Sequence, residues 1–428
     1  MQIMTYILTI GCIATSWKKP WLGLHQYRVP IILWLIFLVI SIIQIIPLPS
    51  SLLHFLSPQA YAIQLSGETS NFYLSLDLSQ SKIALLKSFN YFCLFVVMLT
   101  LVNDNKRIRF VLLTILISAT FQALYGTLEL LSGLKYSLIF SLPVSDSVTG
   151  SFVYKNHYAN YLMLGLSAGI GLMVASLQTE KPSTPRDFLR SVITTLLGNK
   201  ALIRISLAII VIALVMSKSR MGNVAFFCSM TICGIMALIL IKNKSRSLSI
   251  LIVSMFIIDV FILSAWFGLD KIQDRLVNTS LTQESRDEVL LDSLPIISHF
   301  PLFGSGAGSY YAVFPQYKVN EVHNFYDHAH NDYLQMTIEY GVPATSLLAL
   351  LAILSLYNAF YAMHHRKKSN MKGAAFASAM AIIGMLIHMT VDFPLQAPTN
   401  ASYFVIFLAI AWIVKFLKMT NYSAREIA

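Results

Sequence analysis

The sequence predicts an all-α integral membrane protein of about 10–12 transmembrane helices, with a large outward-facing loop carrying short helices. Three observations carry that expectation. Hydrophobic residues make up 56% of the 428 and charged residues only 12%, with a mean hydropathy of +0.66. Apolar runs of spanning length recur along the chain, and lysine and arginine cluster between them. A hydrocarbon core of about 30 Å needs roughly 20 apolar residues per helical span. Strands are disfavoured as spans because the runs do not alternate and open strand backbone leaves polar groups unpaired in lipid.

The runs are Met1 to Ser16, Val29 to Pro47, Ile83 to Val102, Val111 to Leu131, Tyr158 to Leu177, Leu202 to Met216, Val224 to Ile241, Leu248 to Leu269, Leu334 to Tyr357, Ala374 to Val391 and Tyr403 to Phe416. That gives eleven candidate spans in a single polytopic domain over residues 1–428. Met1 to Ser16 lacks a basic n-region and a small-residue cleavage site before Trp17, so it reads as a retained span rather than a signal peptide. Cys12, Cys93, Cys228 and Cys233 all lie inside apolar runs without metal-ligand spacing, and read as packing residues.

Lys18-Lys19, Lys106-Arg107-Arg109, Arg186 to Arg190, Lys242-Lys244-Arg246 and Arg366-Lys367-Lys368 fall on alternate loops. The positive-inside rule puts that set in the cytoplasm and the long polar stretch Lys271 to Asp332 outside. The formal charge of +11 is then a topology signal. The clusters share no soluble face and no interleaved aromatic platform, which argues against a nucleic-acid partner.

Among the outward loops, Pro47-Leu48-Pro49 ends the second run and opens a connection to Ser81. In Leu134 to His157, Gly150 permits a tight bend, and Lys155-Asn156-His157 faces the membrane surface. An interfacial turn with a snorkelling lysine is the alternative reading of that triplet. Ser217-Lys218-Ser219-Arg220 puts two cations between apolar runs on the outward side, against the charge bias of the other short loops. A charge at the membrane boundary is costly unless paired, which marks a candidate functional site, with snorkelling again the alternative.

Within Lys271 to Asp332, Leu290, Leu294 and Ile297 recur at helical spacing. Arg286 to Ser298 is therefore expected to lie as an amphipathic helix on the membrane surface, bent or broken at Pro295. Gly304, Gly306 and Gly308 then read as a loop giving close backbone approach to a ligand. No strand precedes this loop, so a dinucleotide-binding reading fails. The stretch closes on His328-Ala329-His330-Asn331-Asp332.

The chain resembles the O-antigen ligase and polymerase superfamily, membrane glycosyltransferases that take glycans from a polyprenyl-diphosphate carrier on the periplasmic face. The residues that carry the resemblance are His330-Asn331 followed after nine residues by Gly341, Ser219-Arg220, Arg286 with Pro301 to Gly306, the Gly150 to Ala159 segment, and His388 to Pro394. They span roughly residues 150–400, with residues 271–332 as the large periplasmic loop. Tyr154 departs from the family pattern, where many relatives carry asparagine. The resemblance implies a GT-C-like bundle in the bacterial inner membrane and a metal-independent reaction without a cofactor. A metal held among His323, His328, His330, Asp327 and Asp332 is the chemical alternative.

Transfer from a lipid diphosphate needs an acceptor hydroxyl made nucleophilic and a departing diphosphate held. Histidine suits the first task and arginine the second. His330 is expected as the general base or acceptor-orienting group, with Arg220 and Arg286 gripping the diphosphate. Lys218, His328, Asn331, Lys155 and Asn156 are expected substrate-binding residues. Direct attack on the anomeric carbon inverts configuration. The expected partners are an undecaprenyl-diphosphate-linked glycan, a lipid A-core or other glycan acceptor, and the lipid bilayer. Alternatives are an O-antigen or exopolysaccharide polymerase, a protein O-oligosaccharyltransferase and, outside enzymes, a polyprenyl-glycan transporter.

Overall fold

A computed structural model describes residues 5–9, 11, 24–67, 71–137, 139, 141, 143–144, 146–176, 199–241, 253–254, 284–319 and 326–417. The protein is a multi-pass all-α membrane protein: among the described residues, eight helices are long and apolar enough to cross a membrane. Strand-type bridges amount there to two isolated ones, Leu48 with Phe72 and Tyr136 with Pro143. The helices are α1 (Arg28–Ile43), the short α2 (Ser50–Leu56) and α3 (Pro58–Leu65), α4 (Leu78–Leu101), α5 (Asn105–Leu131), α6 (Lys155–Ala175), α7 (Asn199–Met216), α8 (Arg220–Leu240), α9 (Glu284–His299), α10 (Tyr310–Val313), α11 (Asp332–His365), α12 (Ser369–His388) and α13 (Pro398–Phe416). Nine of the expected runs fall on long helices, of which α7 is shorter in its apolar part. Most of Met1 to Ser16 and Leu248 to Leu269, the clusters Lys18-Lys19, Arg186 to Arg190 and Lys242-Lys244-Arg246, residues 271–283 and His323 lie outside the described residues.

Helices α6 and α12 form the centre, buried on nearly every side. Their composition explains it. In lipid there is no hydrophobic drive between helices, so close association relies on small residues that let backbones meet. A Cβ placed on Gly171 would stand 2.5 Å from Ala377 Cβ, and one on Gly373 would stand 2.3 Å from the Gly171 carbonyl oxygen. The outer helices instead turn Val29, Ile32, Leu35, Phe110, Ile117 and Leu128 outward, where lipid replaces protein.

The helices run alternately, and the hydrogen bonds between their ends sort them. At one end the C-terminal turn of α1 meets the loop before α10, where Gln44 Nε2 donates to Phe303 O at 2.6 Å and Glu339 O at 2.8 Å. At the other end Arg366 Nε donates to Val414 O at 2.6 Å, and its guanidinium also reaches Lys415 O. A smaller second core at the first end joins Leu53, Leu74, Val289, Ile296, Phe300, Tyr310, Phe314, Leu334 and Ile338.

That second core corrects two expectations. Pro295 sits inside α9 without ending it. The buried stripe is Val289, Ser293, Ile296 and Phe300, while Leu294 is 49% exposed and Leu290 and Ile297 are only partly buried. The helix packs on protein, with Ser293 Oγ 2.9 Å from Tyr310 Oη. The glycine loop also approaches protein: Ser305 N donates to Ile338 O at 2.8 Å and Gly306 N to Glu339 O at 3.1 Å. Those carbonyls are freed because α11 breaks at Gly341, whose φ of 81° is left-handed. A Cβ there would lie 2.4 Å from Leu302 O. The spacing of glycines thus serves a backbone-to-backbone crossing, a demand that reads the same in sequence as approach to a ligand.

Candidate functional site

His330 precedes α11 and holds a φ of 50°, a region costly for most side-chain-bearing residues and one that clusters at active sites as well as turns. Asn331 then caps the helix: its Oδ1 accepts from Leu334 N at 3.0 Å, and its Nδ2 donates to Thr390 O at 2.9 Å. Asp332, fully buried, accepts through Oδ2 from Leu395 N at 2.9 Å, and its own N–H lies 3.1 Å from Met389 O and 3.2 Å from Asp392 O. These bonds staple the turn after α12 to the start of α11.

The stapled turn delivers Phe393 into a ring of aromatic side chains. Its centroid lies 4.5 Å from His328, stacked, and 4.9 Å from His330, edge-on. His157 stands 5.0 Å away, edge-on, and Tyr154 stacks at 5.6 Å. Beneath them Asn160 Nδ2 meets His388 Nδ1 at 2.9 Å, and His388 Nε2 lies 3.8 Å from Asp392 Oδ2.

Two further helix starts join this end. Asn156, in the first turn of α6, donates from Nδ2 to Tyr154 Oη at 3.0 Å and accepts through Oδ1 from Ser219 Oγ at 2.8 Å. Ser219 is the N-cap of α8, accepting from Gly222 N at 3.2 Å. Lys155, Lys218 and Arg220 are exposed beside these caps, and Lys218 also holds a left-handed φ of 53°. The starts of α6, α8 and α11 therefore meet at one end of the bundle. Helix starts carry unsatisfied N–H groups and partial positive charge, which favours anions.

On the other flank Gln335 Nε2 donates to His328 Nδ1 at 3.1 Å and to Glu339 Oε1 at 2.9 Å, while Ala329 N donates to Gln335 Oε1 at 3.2 Å. The backbone of Gly308 and Tyr310 also acts electrostatically on the Glu339 carboxylate. Burial holds the His328 imidazole below its ordinary pKa, opposed in part by the Asp327 carboxylate 3.9 Å away. Lys87, half-buried in α4, acts electrostatically on both His328 and Glu339.

Of the residues singled out in the sequence, His330, His328, Asn331, Asn156 and the Lys155, Lys218 and Arg220 positions thus share one end of the bundle. Arg286 falls in the first turn of α9, and its side chain lies outside the described residues. Sequence reasoning passed over Lys87, Phe393 and Gln335. Lys87 carried a signal, one cation in an apolar run that should cross lipid. Phe393 carried none beyond its place in the His388 to Pro394 segment.

Comparison with known families agrees with the residues. Residues 205–349 match the family model for O-antigen ligase. The match takes in Lys218, Arg220, Arg286, His328, His330 and Gly341, and supports the superfamily resemblance drawn from them. The Gly150 to Ala159 and His388 to Pro394 segments lie beyond its bounds. No curated protein matches the chain.

Proposed function

We propose that the protein is a glycosyltransferase of the O-antigen ligase type, moving a glycan from undecaprenyl diphosphate to a lipid A-core or related acceptor at the periplasmic face of the inner membrane. The observation that carries this reading is the meeting of three helix starts beside Lys155, Lys218 and Arg220, joined through Ser219, Asn156, Tyr154 and Phe393 to His330. Cations and helix starts suit a diphosphate, and an imidazole beside them suits an acceptor hydroxyl.

In the proposed step the acceptor oxygen attacks the anomeric carbon, His330 takes the hydroxyl proton, and the carbon–oxygen bond to phosphate breaks. The electron pair leaves on undecaprenyl diphosphate, whose charge Arg220 and Arg286 stabilise with Lys155 and Lys218. A single displacement inverts the anomeric centre and needs no covalent enzyme intermediate. His328 supports the acceptor, while Asn156 and Asn331 hold the frame on which the charged groups stand. Charge supports this sidedness: Lys106, Arg107, Arg109, Arg366, Lys367 and Lys368 lie at helix ends opposite this site, and the positive-inside rule favours a cytoplasmic place for that end.

The test compares surface glycolipids in cells lacking the protein, complemented with wild type or His330→Ala at matched membrane abundance. Loss of capped lipopolysaccharide with accumulation of carrier-linked polymer supports ligation. Core bearing a single repeat points to a polymerase of the same superfamily. Full rescue by His330→Ala removes His330 as the base, and a transporter would then account better for the diphosphate-suited cluster.

A further inference from the structure

We infer that Phe393 is a positioning residue for His330, fixing the plane and depth of its imidazole against the helix starts that face it; the inference rests on the glycosyltransferase reading above. His330 holds a left-handed φ of 50°, a conformation that persists only where its surroundings hold it. Phe393 supplies a wall at 4.9 Å with an interplanar angle of 75°, and Tyr326 faces the same imidazole at 6.0 Å and 85°. The same phenyl ring stacks on His328 at 4.5 Å and on Tyr154 at 5.6 Å. It therefore stands between the imidazole pair and the Tyr154–Asn156–Ser219 bonds that lead to Arg220.

Phe393 is itself held more firmly than a surface phenylalanine needs. Its N–H donates to Asp392 Oδ1 at 2.9 Å, its carbonyl accepts from Gln396 N at 3.1 Å, and the next turn is tied to Asp332 through Leu395 N. His157 is fixed from the other side, where Asn400 Nδ2 donates to its carbonyl at 2.9 Å. A phenyl ring has no proton to give and no charge to offer a phosphate. Its contribution is geometric, and catalysis is sensitive to that: a base must be held within about 0.5 Å and 10–20° of its productive pose, and misplacement by about 1 Å costs on the order of 100-fold.

The experiment uses the full-length protein in lipid nanodiscs. The donor is the carrier-linked glycan that accumulates in cells lacking the protein, with rough lipopolysaccharide as acceptor, and release of undecaprenyl diphosphate is followed. Phe393→Leu is expected to lower kcat roughly 10–100-fold with KM for the donor nearly unchanged. Phe393→Tyr, which keeps the ring, is expected to restore most of kcat. If the leucine variant does not reach the membrane folded, Phe393→Met replaces it in the same comparison. Unaltered kcat in the non-aromatic variant alongside an inactive His330→Ala overturns the role of Phe393 and leaves the proposed function standing. Equal loss in the leucine and tyrosine variants, with KM raised, overturns it too. Wild-type release by His330→Ala overturns the glycosyltransferase assignment of His330 and this inference with it.

Discussion

Ser219 Oγ donates to Asn156 Oδ1 at 2.8 Å, tying the N-cap of α8 to the first turn of α6. The same hydroxyl accepts from Gly222 N at 3.2 Å, so one side chain both caps a helix and fixes its distance from another. Ser219→Ala is expected to lose about 1 kcal/mol as a missing cap. The larger consequence falls on the donor: with α8 free to shift, Arg220 and Lys218 lose their register with Lys155, and KM for the carrier-linked glycan should rise up to about tenfold. Thermal unfolding in detergent and donor titration separate the two effects. A fall in melting temperature with donor KM unmoved would show that the bond only caps.

Gly341 makes a second, purely structural prediction. Its φ of 81° and the 2.4 Å approach of an added Cβ to Leu302 O forbid a side chain without moving the loop. Gly341→Ala combines left-handed strain with overpacking, together roughly 2–6 kcal/mol, and should leave little folded protein by fluorescence-detected size exclusion. The loop it displaces is bonded to Gln44 and Glu339, so damage should spread to α1. Normal expression and melting of the alanine variant would mean that the crossing is looser than its geometry indicates.

The spans were legible because lipid imposes one demand, a run of apolar residues about 20 long, and α1, α4, α5, α6, α8, α11, α12 and α13 all meet it. The placement of His330 and Arg220 at one end of the bundle was legible because a charge or imidazole at the boundary stands out against that background. What stayed hidden depends on partners. Phe393 looks like any phenylalanine of a bundle until Asp332 and Asp392 are seen to fix its turn. The buried face of α9 is hidden in the sequence because Leu290, Leu294 and Ile297 share a helical spacing as regular as that of Val289, Ser293 and Ile296. The choice between stripes is made by Tyr310 and Phe314 across the gap, which no local periodicity encodes.

His328 gives the pH dependence a direction. Burial keeps its folded pKa below the ordinary value of 6.5, so between those two values the unfolded chain binds more protons than the folded one. Stability is therefore complete above about pH 6.5 and falls as pH drops through that window toward the folded pKa. Wild-type melting temperature should decline on acidification from pH 7. His328→Gln, which cannot titrate, should show a shallower decline over the same window. Parallel profiles for the two proteins would mean that other groups set the acid response.

Lys87 offers the sharpest division between structure and chemistry. Its charge acts on Glu339 and His328, and it sits half-buried in α4, where an unneeded cation is costly. Either it balances the buried Glu339 carboxylate, or it adds a cation to the diphosphate site. Glu339 already has a partner in Gln335 Nε2, which donates to it at 2.9 Å, so Lys87 is not needed to satisfy its hydrogen bonding, which favours the second role. Lys87→Met is then expected to raise KM for the donor about tenfold or more, the worth of one charge-assisted bond, with a small change in melting temperature. The double variant with Glu339→Gln distinguishes the roles through their coupling. If Lys87 only balances Glu339, removing both charges should recover wild-type donor affinity. If it holds phosphate, the donor defect should persist in the double variant.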